Sequence, residues 1–253
     1  PLGNMNVGAA EDGRRVAHWG PFQPFANVRE TDLRELPEGV DWRDAMLLDP
    51  AEFALGALRD GGVRIGDRVA VFGLGAIGLV TTRLAKLAGA SLVIGLDPSP
   101  ERRAVSGADL ALDPSGDAGL AIREATGMLG ADVAIDFSGA RPALQAALRG
   151  VAYGGTIVMG AFPAPWGPGL DLGGEAHMNR PRIVFTRACS DPNPDHPRWD
   201  WERIRRHCHE IVASGRLSGA GIVDDPVPFD RLPEVYPAIA AAPDRSIKLS
   251  VAY

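Results

Sequence analysis

The sequence has few cysteines, almost no lysine and no long apolar run. Its two cysteines, Cys189 and Cys208, exclude a disulfide framework and a four-cysteine zinc lobe. The longest nearly apolar stretch, residues 70–80, is far too short to span a bilayer. No stretch near the start has the basic, apolar and small residues of a signal peptide, so we expect a cytoplasmic protein. Residues 1–4 precede Met5 and are expected to be the remnant of a cleaved expression tag.

Further classes are excluded by charge and by missing motifs. The formal net charge of −6 does not favour binding to nucleic acid, and no basic cluster suggests binding to a membrane surface. The sequence has no G-x-S-x-G, Walker or H-E-x-x-H motif. None of the 3 tyrosines is followed four residues later by lysine, which excludes the Tyr-x-x-x-Lys pair of short-chain dehydrogenases.

Short apolar runs alternate with helical patterns between residues 68 and 187. Strands are predicted over 68–72, 92–96, 109–112, 132–137 and 155–159, and helices over 76–90, 116–128 and 141–149. Such alternation indicates a parallel sheet with right-handed crossovers. The sequence therefore predicts a doubly wound α/β domain.

The segments on either side of this domain have a different character. Residues 1–52 are rich in proline and contain only short strand-like stretches, at 15–17 and 26–28. After residue 187 the pattern predicts helices over 199–214 and 231–241 and a final strand over 246–251.

A glycine-rich motif, G-x-G-x-x-G, occupies residues 73–78 between a predicted buried strand and an amphipathic helix. Gly73 permits the tight turn, Gly75 lets the backbone approach a pyrophosphate, and Gly78 lets the helix pack closely on the strand. Asp97 follows about 20 residues further on, at the end of the next strand. Its carboxylate suits both ribose hydroxyls and repels a 2′-phosphate, which favours NAD over NADP.

Alternatives to this interpretation stay open at the level of the residues. A strand–turn–helix of this kind also occurs without a ligand. The alternative interpretation of Asp97 is a solvated turn residue before Pro98. A nearby arginine, Arg102, has the charge to neutralise the 2′-phosphate of NADP.

The motif and its surroundings resemble the cofactor domain of the medium-chain dehydrogenase/reductase superfamily, which includes the zinc-type alcohol, sorbitol and threonine dehydrogenases. The resemblance is carried by residues 66–79, 136–139, 154–160, 229–230, 236–239 and 246–249. Residues 20–28 and 36–40 resemble the last part of that family's substrate-binding barrel. The likeness therefore spans nearly the whole chain.

This resemblance implies a Rossmann sheet of strand order 3-2-1-4-5-6, with a truncated GroES-like β-barrel remnant formed from both chain ends. It divides the chain into a barrel remnant (1–52), an NAD-binding domain (53–187) and a C-terminal return to the substrate domain (188–253). The first half of the family's barrel has no counterpart here. The chain is therefore expected to be a natural short form or to lack an N-terminal third.

The same resemblance implies a set of cofactor-binding residues. They are Gly73, Gly75, Ala76, Ile77, Gly78, Asp97, Arg102, Ser138, Met159, Gly160, Ala161, Thr186, Arg187 and Lys248. The nicotinamide would be lined by Ser138, Met159, Gly160 and Ala161. Thr186 and Arg187 would approach its carboxamide, and Lys248 would contact the pyrophosphate. By the same comparison Arg102 lies beside the adenosine ribose, which agrees with NAD.

The zinc ligands of the family's first half are missing. Asp49 lies where sorbitol-type members supply an acidic zinc ligand, and it equally suits a helix N-cap before Pro50. One carboxylate does not make a tetrahedral zinc site. His207 and His209, two residues apart on a predicted helix, point to different faces. We therefore expect no bound zinc and assign no catalytic residue.

Three functions remain open at this stage. The first is an NAD-dependent oxidoreductase of a small alcohol or ketone, with sugars and cyclitols as candidates, working without zinc as it stands. The second is a redox-neutral NAD-dependent epimerase or eliminase, and the third a non-catalytic NAD-binding or assembly module. We also expect a homodimer, because family members pair through the edge of the Rossmann sheet and residues 183–185 form an apolar last strand.

Overall fold

The computed structural model describes residues 3–187 and 197–253. The chain divides into two compact units. The terminal unit comprises Pro1–Glu52 and Glu202–Tyr253, and the sheet unit comprises Phe53–Trp201. Cys189 and the first residues of the predicted segment 188–253 lie outside the described residues. None of the helices in the two described ranges is long and apolar enough to cross a membrane.

The chain begins with a small antiparallel sheet and two helices. Its elements are β1 (Met5–Ala9), β2 (Arg15–Trp19), β3 (Arg34–Glu35), α1 (Trp42–Ala45) and α2 (Leu48–Gly61). Strand β2 lies between β1 and β3 and buries Val16 and Ala17. The Asp41 side chain accepts a hydrogen bond from the Arg43 backbone amide and caps α1.

Six parallel strands and their helices make up the sheet unit. The elements are β4 (Arg68–Phe72), α3 (Ala76–Leu87), β5 (Leu92–Leu96), α4 (Pro100–Ala104), β6 (Leu110–Leu112), α5 (Ala118–Ala125), β7 (Ala131–Asp136), α6 (Arg141–Gly150), β8 (Val151–Met159), α7 (Glu175–Asn179) and β9 (Arg182–Phe185). The strand order is β6-β5-β4-β7-β8-β9, which is 3-2-1-4-5-6 when counted from β4. The predicted Rossmann-like α/β class is confirmed.

The central strands β4 and β5 are continuous, largely buried apolar runs, as is typical of parallel strands that are covered on both faces. Ala134 and Ile157 pack with Leu144 and Leu148 of α6 in one buried cluster. In the sheet register Phe72 lies opposite both Leu96 and Asp136. The carboxyl ends of the central strands therefore meet at one edge, where α/β proteins bind ligands.

The C-terminal part of the chain adds α8 (Trp201–Ala213), β10 (Val227–Pro228), α9 (Leu232–Ala241) and β11 (Val251–Ala252). Strands β10 and β11 form a two-stranded parallel pair. Whether this part and residues 1–52 represent a barrel remnant stays a prediction.

Two predicted strands differ from the structure, and one helix of the structure has no counterpart in the prediction. Residues 26–28 form no strand. The strand predicted over 246–251 is reduced to β11 and a single bridge between Lys248 and Val223. Helix α2 was not predicted, because Pro50 and Gly56 interrupt its apolar periodicity.

Candidate cofactor site

The glycine-rich loop follows β4 and requires glycine at two positions. Gly73 has a φ of +83°, and a side chain there would place its Cβ 2.7 Å from the Ser138 backbone nitrogen. A Cβ on Gly78 would lie 1.9 Å from the Gly73 carbonyl oxygen. This contact is closer than any real Cβ makes, so α3 approaches β4 as closely as it does only because residue 78 is glycine.

Gly75, unlike Gly73 and Gly78, faces open space. It is the N-cap residue of α3, and a Cβ at this position would have no heavy atom within 4 Å. The first turn of α3 has no acidic residue and no side-chain cap, so the amide groups of Ala76 and Ile77 belong to an uncapped helix N-terminus. Open space in front of a positive helix end fits a pyrophosphate.

Asp97 lies at the end of the neighbouring strand β5 and is only 3% exposed. Its Oδ2 accepts a hydrogen bond from the Leu74 backbone amide at 2.7 Å, and its Oδ1 accepts one from the Ser99 amide at 2.8 Å. The alternative of a solvated turn residue is therefore wrong. Each carboxylate oxygen accepts about two hydrogen bonds, so the carboxylate has capacity left for a ribose diol.

Two arginines lie near Asp97, one at its carboxylate and the other at its backbone carbonyl. Arg102 places Nη1 3.9 Å from Asp97 Oδ2, at the outer limit of an ion pair. Arg103 donates from Nη1 to the carbonyl oxygens of Asp97 and Pro98, and it also pairs with Asp113. Arg103 has no distinguishing sequence signal, because adjacent arginines in a short helix do not indicate which one faces the strand ends.

The predicted nicotinamide residues meet at the carboxyl ends of β7, β8 and β9. The Gly160 amide donates to the Asp136 carbonyl oxygen at 2.9 Å, and the Thr186 amide donates to the Met159 carbonyl oxygen at 3.1 Å. These bonds continue the sheet register beyond the strands and place the segments around Ser138, Gly160 and Thr186 side by side.

The Thr186 side chain at this edge lacks a hydrogen-bond partner within the described residues. The Thr186 hydroxyl oxygen is buried and makes no hydrogen bond there. Buried hydroxyls are normally satisfied, so the atom fits a site that takes a polar ligand such as the carboxamide of the nicotinamide. Arg187, the last residue before the gap, is exposed.

Lys248 lies in the terminal unit, close to Asp49. Burial lowers the pKa of Lys248, and the nearby Asp49 carboxylate opposes this shift. Burial raises the pKa of Asp49, opposed by Lys248 and by hydrogen bonds from Trp19 and Asn4. Asp49 is the second residue of α2, so the N-cap interpretation is wrong. The contact of Lys248 with a pyrophosphate stays a prediction.

Residues that could hold zinc do not converge within 3–187 and 197–253. No group of three or more His, Cys, Asp or Glu is close enough there to bind a metal ion. His209 donates from Nε2 to the Glu35 carbonyl oxygen at 2.7 Å, whereas His207 contacts Glu210 on its own helix. Cys208 is buried, and burial raises the pKa of its thiol. The donor set therefore does not fit a tetrahedral zinc site.

The terminal unit carries a groove of about 1390 Å³. Its lining includes the polar side chains of Asn6, His18 and Glu30 and the aromatic rings of Phe25 and Trp42. This volume exceeds the range of about 300–1,000 Å³ that is usual for small-molecule sites. We therefore assign no substrate site to it.

Comparison with known proteins gives a consistent picture. A family model for zinc-binding dehydrogenases matches residues 76–191. D-guloside 3-dehydrogenase of Escherichia coli K12 is 44% identical over 270 residues, which cover 100% of this chain and 77% of that protein. (R,R)-butanediol dehydrogenase of Bacillus subtilis 168 is 33% identical over 164 residues, which cover 63% of this chain and 45% of that protein.

A solved structure supports the fold. The crystal structure of 2R,3R-butanediol dehydrogenase from Bacillus subtilis superimposes with a TM-score of 0.75 at 24% identity, covering 94% of this chain and 73% of that one.

Proposed function

Since the chain belongs to the zinc-type medium-chain dehydrogenases and is an NAD(P)-dependent dehydrogenase, we propose that it uses NAD to oxidise a secondary hydroxyl of a sugar derivative. The choice of NAD is supported by one observation, the buried Asp97 carboxylate beside the glycine-rich loop. The choice of a sugar is supported by the similarity to D-guloside 3-dehydrogenase.

The residues of the sheet unit fit a dinucleotide. Gly75 and the N-terminus of α3 would hold the pyrophosphate, Asp97 the adenosine ribose, and Ser138, Met159 and Thr186 the nicotinamide. The bound cofactor supplies the hydride acceptor for alcohol oxidation. The reaction also needs a group that takes the alcohol proton, and we assign none.

Cofactor titration and a substrate panel test this proposal. We expect NADH to bind the full chain more tightly than NADPH. With NAD we expect absorbance at 340 nm to rise with glycosides and free sugars more than with 2,3-butanediol or other small diols. Preference for the diols would reject the sugar assignment. Substrate turnover without NADH release would indicate a redox-neutral enzyme, and NADH binding without any turnover a non-catalytic module.

We expect the purified protein to carry no stoichiometric zinc. The described residues present Asp49 with Asn4, Trp19 and Lys248, a set in which only the carboxylate is a common zinc ligand. Elemental analysis after dialysis without chelator checks this expectation. About one tightly held zinc per chain would contradict it.

We also propose a homodimer that forms through the β9 edge of the sheet. Strand β9 is the outermost strand on its side of the sheet among residues 3–187 and 197–253, and its Phe185 and Ile183 side chains are 81% and 41% exposed. An apolar edge with unpaired backbone groups is relieved by pairing with a second copy. Light scattering should report a dimer for the wild type and a monomer for Phe185→Asp.

Leu110 on β6 provides the matched control, because it is a partly exposed leucine on the opposite edge of the same sheet. Leu110→Asp should leave the dimer intact. A monomeric wild type at micromolar concentration would reject the proposal.

A further inference from the structure

Asp136 is a carboxylate that the proposed chemistry does not use. It is the last residue of β7 and is fully buried. Its Oδ1 accepts hydrogen bonds from the Ser138 amide at 2.8 Å, from the Ser138 hydroxyl at 2.6 Å and from the Gly139 amide at 3.3 Å. Its Oδ2 is buried and has no hydrogen-bond partner within the described residues. Burial therefore raises the pKa of this carboxyl, and the bonds from Ser138 and Gly139 oppose the shift.

The two carboxylate oxygens of Asp136 differ, since Oδ1 accepts three hydrogen bonds and Oδ2 accepts none within the described residues. This difference needs a physical reason. A buried carboxylate is costly when its oxygens are left unsatisfied, and an apolar residue would suit the surrounding core better. Three donors from one short turn converge on a single oxygen, so the side chain holds the shape of that turn. The turn, residues 137–140, leads from β7 into α6.

One side of this turn touches the glycine-rich loop. The Phe137 amide donates to the Phe72 carbonyl oxygen at 2.8 Å, which extends the β4–β7 pairing by one residue. The Ser138 backbone then lies directly on the α-carbon of Gly73, where a Cβ would be 2.7 Å from the Ser138 nitrogen. Any displacement of the turn is therefore transmitted to the loop that would hold the pyrophosphate.

The other side touches the segment after β8. A Cβ on Gly160 would lie 2.4 Å from the Phe137 ring, and a Cβ on Gly139 would lie 3.2 Å from the Ala161 Cβ. The Trp166 indole nitrogen donates to the Gly139 carbonyl oxygen at 3.0 Å. The turn is thus packed between the two segments that would hold opposite ends of one cofactor.

We propose that Asp136 is a positioning residue of the cofactor site. Its Oδ1 fixes the turn 137–140 and thereby sets the spacing between Gly73 on one side and Gly160 and Ala161 on the other. This inference rests on the proposed cofactor site. Asp136 touches neither the cofactor nor the substrate; it acts through Ser138 and Gly139.

Substitution at Asp136 tests this role through NADH affinity, measured by fluorescence well below the melting temperature. Asp136→Ala removes the acceptor, and we expect NADH affinity to fall about tenfold or more, as for the loss of hydrogen bonds to a charged group. Asp136→Asn keeps an oxygen at the position of Oδ1, so we expect affinity within about threefold of the wild type. If Asp136→Asn keeps the NADH affinity that Asp136→Ala loses, the loss comes from the missing hydrogen-bond acceptor and not from lower stability.

Asp132 is the matched control, because it lies on the same strand but at its amino end. Its carboxylate accepts hydrogen bonds from the Arg68 backbone amide, Nε and Nη2 at 2.7–2.8 Å. Asp132→Ala should lower the melting temperature and leave NADH affinity within about twofold of the wild type, since no cofactor segment depends on it.

The outcomes separate this inference from the proposed function. If the wild type fails to bind NADH, the cofactor site itself is wrong. If the wild type binds but folded Asp136→Ala binds equally well, or Asp132→Ala is weakened to the same degree, only the positioning role is wrong. If Asp136→Ala does not fold, the test rests on Asp136→Asn. Wild-type NADH affinity of this variant supports the acceptor role, and a tenfold loss of NADH affinity overturns it.

Discussion

Replacing Gly78 with alanine is expected to abolish measurable NADH binding and to destabilise the sheet unit. The new methyl group would lie 1.9 Å from the Gly73 carbonyl oxygen, which is backbone and cannot rotate away. Helix α3 must then move off β4, and overpacking of this kind costs about 1–3 kcal/mol or more. Thermal unfolding and NADH fluorescence titration measure the two effects.

Gly75→Ala is the matched control three residues earlier in the same loop. A Cβ there meets no heavy atom within 4 Å, so the melting temperature should stay at the wild-type value. NADH affinity should nevertheless fall, because the methyl group occupies the space into which a phosphate would approach the backbone. A stable Gly75→Ala variant that binds NADH normally would show that no phosphate lies over this loop.

The second large effect is expected at Asp97. Asp97→Ser removes the acceptors for the Leu74 amide and the Ser99 amide as well as the proposed ribose contact. Charge-assisted hydrogen bonds contribute about 1.5–3 kcal/mol, so NADH affinity should fall about tenfold or more. The difference in affinity between NADH and NADPH should become smaller, because the charge that repels a 2′-phosphate is gone and Arg102 loses its 3.9 Å contact with that carboxylate.

The gain in NADPH affinity should be small, because the same substitution releases the glycine-rich loop that both cofactors need. Asp113→Ser provides a control for net charge: Asp113 pairs with Arg103 at 3.4 Å and is not bonded to the loop. Its affinities for NADH and NADPH should match the wild type. Tighter binding of NADPH than NADH by the wild type would mean that Arg102, and not Asp97, determines the choice of cofactor.

The sheet unit could be predicted from the sequence because its signals are local. Continuous apolar runs mark β4, β5 and β7, and the glycine motif marks the turn between β4 and α3. The last strand of the chain was harder to predict. Residues 246–251 alternate like a strand, yet among them only Val251 pairs with β10. That strand is only Val227–Pro228, and proline has no amide to donate.

In the candidate cofactor site, too, some residues have a local sequence signal, whereas their contacts depend on long-range strand pairing. Asp97 could be predicted from its distance to the glycine motif, but its bond to the Leu74 amide depends on the register between β4 and β5. Asp136 does have a local sequence signal, because a charged residue inside a predicted buried strand is unusual. Its three donors lie in the following turn, which sequence spacing does not fix.

The terminal unit is assembled from both ends of the chain, and this sets an order of folding during synthesis. The Gly219 amide donates to the Asp44 side chain, and His209 donates to the Glu35 carbonyl oxygen. These bonds close loops that contain the entire sheet unit, so they form last and at a high entropic cost. Residues 1–52 are synthesised before residues 202–253, so we expect part of their apolar surface to stay uncovered while residues 53–201 fold. This interval is when the nascent chain most needs a chaperone.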